Sequence, residues 1–272
     1  MSSPAIAIRA LRKSFPPAGT GWRAFLQPFA PATIPALRDV SFEVAAGESV
    51  ALLGENGAGK TTLLRILATL LLPTSGSAGV AGHDALREPR IVRRHLGYHA
   101  GSDLGFYSRL TGRENLQFFG ALNHLPAMVL RERIASLAGQ FLLGDALDRQ
   151  VRTLSSGTIQ RLSLLRAVLH EPRVLLLDEP TRSLDAIAAA DFRRFLKQRV
   201  IRERGTSLLF ASHTLPEIEF LADRVAVLHE GALVAFDTPA ALRERTGCAS
   251  LELAFARLTG RPLPAPSGEP AA

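Results

Sequence analysis

Cysteine is almost absent: Cys248 stands alone in 272 residues. An intrachain disulfide and a cysteine-built zinc cluster are therefore excluded, and a reducing compartment is expected. Lysine is nearly as scarce, occurring only at Lys13, Lys60 and Lys197, so 29 of the 32 basic residues are arginine. Those arginines are scattered, and no dense basic block is interleaved with aromatics. Despite the net charge of +7, no nucleic-acid partner is expected; an anionic lipid surface or an acidic patch on a partner fits better. No apolar run approaches the roughly 18 residues of a membrane span, and Ile66–Leu72 is the best and far too short. The N-terminus, Met1-Ser2-Ser3-Pro4, lacks a charged segment followed by an apolar one, so no secretion signal is expected.

What is present is a globular composition, 47% hydrophobic and 21% charged, in a length that permits one large domain with a subdomain. Its most informative stretch is Gly54-Glu55-Asn56-Gly57-Ala58-Gly59-Lys60-Thr61-Thr62. The apolar run Ser49–Leu53 precedes it and a helix-forming run follows. This is the phosphate-binding pattern G-x-x-x-x-G-K-[ST] in its confirming context, strand before and helix after. Glycines let successive backbone N–H groups curl around a phosphate, and the helix N-terminus faces the same anion. Lys60 can reach the β- and γ-phosphates, and the Thr61 hydroxyl is placed to hold Mg²⁺. A nucleoside triphosphate is the expected ligand.

Coarse periodicity organises the rest. Strands are expected at 5–9, 38–44 and 48–53, with a turn at Ala45–Glu48. A helix is expected over Thr61–Leu72, stopped by Pro73. Residues 86–150 read as mainly helical and highly charged, a subdomain inserted in an α/β core. Further helices are expected at 157–170, 186–203 and 215–222, and further strands at 173–177, 206–211 and 224–229. The tail from Arg261 is Pro-rich and expected to be disordered. No internal repeat is present.

Two motifs extend the chemistry. Val174–Leu177 is a buried-strand run that ends in Asp178-Glu179, at the strand edge where ligands of open α/β sheets bind. Asp178 should reach Mg²⁺ through its water shell, and Glu179 should orient or deprotonate the attacking water. Just ahead, Leu154-Ser155-Ser156-Gly157-Thr158-Ile159-Gln160-Arg161 is a small polar turn opening a helix, a second anion site by the same backbone physics.

Gly54–Thr62, Leu154–Arg161, Leu175–Pro180, Ser183-Leu184-Asp185 and His213, in this order, resemble the nucleotide-binding subunit of an ABC transporter. The resemblance covers roughly residues 5–245. It implies a RecA-like α/β core with an antiparallel β-subdomain and a helical subdomain. The expected nucleotide-binding domain is 5–246, with the helical subdomain at about 88–165 and a short extension at 247–272. It also implies two such domains, in a homodimer or heterodimer, sandwiching two ATP molecules. Ser155 and Gly157 would touch the γ-phosphate held by the other protomer. Ser183–Asp185 resembles the interface loop, so Asp185 joins the site, and His213 resembles the switch histidine on the γ-phosphate. Phe15 is the candidate for stacking on adenine, with Trp22 as its rival.

A narrower resemblance is to exporters of drugs, lipids or polysaccharides. Arg109–Leu116 resembles the segment facing the membrane partner, and Ser250–Phe255 with Leu258-Thr259-Gly260 resembles the ending of drug-type subunits. It implies an ATPase at the cytoplasmic face of the membrane, bound peripherally to a separate permease. The alternatives are a soluble ABC ATPase of translation or DNA repair, and a regulatory subunit with weak hydrolysis. The first is opposed by a single P-loop and by only about ninety residues between Lys60 and Leu154. The second is opposed by the intact Lys60, Asp178, Glu179 and His213. Three departures from the family pattern stand out. The signature reads Ser155-Ser156-Gly157-Thr158 in place of a form with two glycines and a glutamine. Gly101 or Ser102 occupies the slot of the usual Q-loop glutamine, with Asp103 the nearest carboxylate. An insertion at 16–35 carries Trp22, Arg23, Phe25, Leu26 and Phe29, which fits a loop on the β-subdomain or a contact with permease or membrane.

Overall fold

The computed structural model describes residues 3–16, 33–101 and 105–261. Two sheets organise them. The first is antiparallel, in the order β2-β1-β4-β5: β1 is Ile6–Phe15, β2 Ile34–Val44, β4 Ser75–Val80 and β5 His83–Asp84. The second runs β10-β9-β3-β8-β7-β6, built from β3 (Ser49–Gly54), β6 (Leu96–His99), β7 (Val174–Asp178), β8 (Ser207–Ala211), β9 (Arg224–His229) and β10 (Ala232–Asp237). Its neighbours pair in parallel except β10, which returns antiparallel on β9.

Burial explains the two sequence patterns. Every residue of β3, β7 and β8 is buried, as expected of parallel strands covered on both faces. Alternate side chains of these strands enter two different cores. Ala51, Leu53, Leu175, Leu177, Leu208 and Phe210 face the helical layer. Val50, Leu52, Val174, Leu176, Leu209 and Ala211 face α1 (Lys60–Leu67) and the antiparallel sheet. The parallel sheet is thus the wall between two hydrophobic cores. β1 and β2 alternate less regularly because bulges shift their register near Ala10 and Asp39, both at positive φ.

α2 (Pro89–His95) packs on the antiparallel-sheet side through buried Val92, and the helical layer contains α3 (Gly112–Leu122), α4 (Ala127–Gln140) and α5 (Ser156–Val168). α3 starts at a reciprocal cap: Thr111 accepts from the Glu114 amide while the Glu114 carboxylate accepts from the Thr111 amide. α6 (Ala186–Phe195) continues as a π-helical stretch over Leu196–Glu203, and α7 (Leu215–Leu221) follows β8. α8 (Pro239–Thr246) and α9 (Leu251–Leu258) complete the chain, both capped by hydroxyls, Thr238 and Ser250.

Some expectations need correction. The first helix ends at Leu67, not Leu72, because Leu70 and Leu72 point to solvent, 62% and 70% exposed, and Thr69 turns the chain with a positive φ. Leu96–His99, inside the stretch read as helical, is the edge strand of the parallel sheet. β4, β5 and β10 are additional strands. Residues 247–261 include a packed helix: Leu251 and Ala254 of α9 are buried and α9 lies on α8. Of the 16–35 insertion, residues 17–32, with Trp22, Phe25 and Phe29, lie outside the described residues, as do Ser102, Asp103 and the tail beyond Arg261, while Ile34 and Pro35 open β2.

Candidate nucleotide site

The P-loop begins where β3 ends at Gly54 and closes at Gly59, the residue capping α1. Gly59 sits at φ 99°, and a Cβ there would stand 2.5 Å from the Ala36 carbonyl oxygen. Only glycine fits this close approach in the left-handed region. α1 then starts at Lys60, which is buried. Its ammonium donates to the carbonyls of Gly54 at 2.6 Å and Glu55 at 2.9 Å. Burial lowers the Lys60 pKa, opposed by the nearby charges of Glu179, Asp178 and Glu55.

The next residue joins the loop to β7. The Thr61 hydroxyl donates to the Asp178 carboxylate at 2.8 Å. Asp178 is buried, and its pKa is raised chiefly by desolvation, against the pull of that hydrogen bond. Glu179 follows at φ 49°, its amide bonded to the carbonyl of Ala211 at the end of β8. Two residues beyond Ala211, the Nδ1 atom of His213 lies 2.6 Å from the Glu179 carboxylate. The parallel pairing of β7 with β8 is what brings these two loops side by side.

These groups line one cavity of about 840 Å³. Its wall includes Gly54, Asn56, Gly57, Gly59, Lys60, Thr61, Thr62, Asp178, Glu179 and His213. Arg65, Ala100, Gly101, Arg182 and Arg261 complete it with Glu55. Arg182 and Arg261 were not among the residues expected from the sequence. Spacing gave no signal for Arg261, which reaches the cavity from the far end of the chain.

The signature turn lies elsewhere. Ser155 caps α5, its hydroxyl accepting from the Thr158 amide at 3.3 Å and lying 2.8 Å from the Thr158 hydroxyl. Gly157 abuts the next motif: a Cβ there would be 3.1 Å from the Ser183 carbonyl oxygen. Asp185 caps α6 by accepting from the Ala188 amide at 2.8 Å, and backbone hydrogen bonds hold its pKa down. Gly157 thus abuts the segment that leads to Asp185, and none of Ser155, Gly157 and Asp185 lines the Lys60 cavity. Phe15 does not line it either; it ends β1 opposite Ile34, with the Lys13 ammonium 4.9 Å from its ring centre.

A buried network ties the signature helix to the sheet. The Gln160 amide donates to the Pro180 carbonyl at 2.9 Å and lies 3.0 Å from His99 Nε2. His99 Nδ1 lies 2.9 Å from the Ser163 hydroxyl. With the Gln160 amide as donor, Nε2 accepts and the imidazole proton sits on Nδ1. Full burial pushes the His99 pKa down to about 3.

Away from the cavity, the helical layer exposes aromatic surface. Tyr107 and Phe118 pack edge to face with centroids 5.0 Å apart, and Leu122 is exposed nearby on α3. Behind them the Arg166 guanidinium lies over the rings of Phe106 and Phe119. No described helix is long and apolar enough to cross a membrane.

Comparison with known proteins agrees with this architecture. Residues 37–182 match the ABC transporter family. The chain is 39% identical over 201 residues to the ABC transporter ATP-binding protein NatA of Bacillus subtilis (strain 168), covering 74% of this chain and 81% of NatA. It is 41% identical over 215 residues to the daunorubicin resistance ATP-binding protein DrrA3 of Streptomyces coeruleorubidus, covering 78% of this chain and 66% of DrrA3. The chain therefore spans just under two thirds of the DrrA-type relative. Among solved structures, an ATP binding subunit of an ABC transporter superposes with TM-score 0.80 at 26% identity, over 94% of this chain and 99% of that one. The dimeric post-hydrolysis ATP-binding cassette MJ0796, bound to ADP and Pi, shares the fold with TM-score 0.75 at 21% identity, over 86% of this chain and 98% of that one. The chain belongs to the ABC transporter family, as an ATP-binding and ATP-hydrolysing subunit that energises a membrane transporter.

Proposed function

We propose that this chain lies peripherally at the cytoplasmic face of the membrane, where it drives an exporter whose permease is a separate polypeptide, and that it works as a sandwich dimer closed by Mg-ATP. The observation that carries the dimer is the separation of Ser155, Gly157 and Asp185 from the Lys60 cavity. A turn with anion-binding geometry and no phosphate partner in its own chain finds one in a second copy or a related subunit. The drug-resistance names of the DrrA relatives and the exposed Tyr107–Leu122 patch support the exporter assignment. Residues 5–246 then form the nucleotide-binding domain, with the extension as its appendage.

The geometry supports the following roles. Lys60 would exchange the Gly54 and Glu55 carbonyls for β- and γ-phosphate oxygens, a gain for a buried ammonium. Backbone amides at Asn56, Gly57, Gly59 and Thr62 would cradle the same phosphates. The juxtaposed Thr61 hydroxyl and Asp178 carboxylate are hard oxygen donors suited to Mg²⁺. Among the described residues no cluster of three or more His, Cys, Asp or Glu side chains forms a closed metal cage, which fits an ion completed by phosphate and water. Bound there, Mg²⁺ would neutralise charge developing on the phosphates. The Glu179 carboxylate would accept the proton of the attacking water. His213, holding that carboxylate at 2.6 Å, would aim it and contact the γ-phosphate. Phe15 remains the proposed adenine platform, since base stacking tolerates any aromatic within reach.

The test is Glu179→Gln, which keeps the side-chain shape and removes the base. With saturating Mg-ATP this variant should accumulate as a dimer on size-exclusion chromatography, and lose the dimer when ATP is omitted. A variant that binds Mg-ATP and stays monomeric, both alone and in detergent extracts with its membrane partner, would contradict the sandwich.

A further inference from the structure

One residue of the cavity wall, Arg261, comes from beyond the last described helix. α9 is fixed to the domain by buried Leu251 and Ala254, and Arg257 donates to the Thr246 carbonyl at 2.6 Å. Beyond α9 the backbone turns through Gly260 at φ 69°, and the Arg261 amide donates to the Ala256 carbonyl at 2.9 Å. That turn delivers the Arg261 guanidinium into the nucleotide cavity, where its Nε pairs with the Glu55 carboxylate. Glu55 is the second residue of the P-loop, and its carbonyl already accepts from Lys60.

Both partners are partly exposed, 55% for Arg261 and 32% for Glu55, so the pair contributes little to folding. Its consequence is electrostatic. The cavity wall carries the cations Lys60, Arg65, Arg182 and Arg261 against the carboxylates Glu55, Asp178 and Glu179. Arg261 therefore decides whether the wall is net positive or balanced. Without it, the Glu55 carboxylate would lose its paired cation in a cavity that takes a polyanion.

We propose that Arg261 is a positioning residue of the nucleotide site, which acts through Glu55 by neutralising it at the phosphate mouth and so raises affinity for the triphosphate. The C-terminal extension is thereby part of the ATP site. This rests on the nucleotide reading of the cavity given above. Because the effect is charge on charge, it grows with the charge of the ligand and shrinks with salt.

The experiment is calorimetric titration of the full chain with Mg-ATP and Mg-ADP at low and at moderate salt. Arg261→Ala should weaken Mg-ATP binding by about three- to tenfold at low salt, the size expected of one charge acting on a dianion through a water-like dielectric. The loss should be smaller for Mg-ADP and smaller at higher salt. Arg261→Lys should retain most of the affinity. Adding Glu55→Gln to Arg261→Ala should restore affinity to within about twofold of wild type. A merely structural role for Arg261 in seating α9 predicts a loss that Glu55→Gln does not rescue, and that result would overturn the proposal. Unchanged binding in Arg261→Ala would overturn it as well, and tighter binding would replace it with a competing latch. A wild-type chain that fails to bind Mg-ATP at all would instead overturn the nucleotide reading, and this inference with it.

Discussion

Gly101 lies so close to the backbone of Asp178 that a Cβ atom on it would stand 2.5 Å from the Asp178 carbonyl oxygen. Gly101 also holds φ 67°. Both facts disfavour a side chain at Gly101, which with Ser102 is one of the two candidates for the slot of the family's Q-loop glutamine. Packing of the β6 exit against the end of β7 is therefore coupled to the lack of a side chain at Gly101. Gly101→Gln should therefore impair the site rather than supply a working Q-loop side chain. It should cost about 1–3 kcal/mol of stability from backbone strain and lower turnover by about tenfold or more, because Asp178 must shift. A denaturant melt and an ATPase assay of the same protein check this. Wild-type stability with raised turnover would refute the coupling.

Lys60 and His213 should separate cleanly in kinetics. Lys60→Ala removes a charge-assisted phosphate contact, so Mg-ATP affinity should fall by about tenfold or more. His213→Ala leaves the P-loop untouched and frees the Glu179 carboxylate it holds, so binding should stay within about twofold while turnover falls by about a hundredfold. Paired measurements of ATP binding and phosphate release decide it. If both variants lose binding alike, the division of roles is wrong.

The part of the candidate site built on the P-loop and Asp178-Glu179 was legible in the sequence because short-range rules write it there. A glycine-rich loop between an apolar strand and a helix, and an apolar strand ending in Asp178-Glu179, each carry their own context. The neighbourhood of Gly101 was not legible, since the clash with Asp178 exists only after β6 pairs with β7. The antiparallel strand β4 was missed for a related reason. Its sequence, Ser75-Gly76-Ser77-Ala78-Gly79-Val80, has almost no β-branched character, and it is a strand because β1 pairs with it. The Arg261–Glu55 pair joins residues far apart in sequence and leaves no periodic trace.

His99 gives a pH signature. Its pKa is about 3 in the folded protein and near 6.5 in an unfolded chain. The unfolded state therefore binds the extra proton between those values. The contribution of His99 is complete above about pH 6.5 and is lost as pH falls towards 3, with a limiting slope of about 1.4 kcal/mol per pH unit. His170, also buried and shifted downward, adds in the same direction, so the comparison must be between variants. His99→Gln should be less stable than wild type at pH 7.5, and its stability should fall less steeply between pH 6.5 and 5. Parallel stability–pH curves for the two proteins would show that His99 is not the buried neutral group described.

The aromatic patch on the helical layer makes the final prediction. Tyr107 is 51% exposed, yet its backbone is rigidly held: its amide donates to the buried Asn115 side chain at 2.8 Å, and its carbonyl accepts from the same side chain at 3.1 Å. An exposed ring on a fixed backbone, packed against Phe118 and flanked by Leu122, loses little conformational entropy when a partner covers it. Tyr107→Glu would place a charge in that contact. If the patch docks the permease, association should weaken by roughly 1–2 kcal/mol or more, on the order of tenfold. Mg-ATP binding should be preserved, since Tyr107 does not line the nucleotide cavity. Leu72→Glu is the control, because Leu72 is 70% exposed but follows α1 rather than lying in the helical layer. Co-purification from membranes with the permease chain reads the outcome. Equal recovery of both variants would move the docking surface away from Tyr107, and loss of recovery by Leu72→Glu alone would move it to the α1 side of the domain.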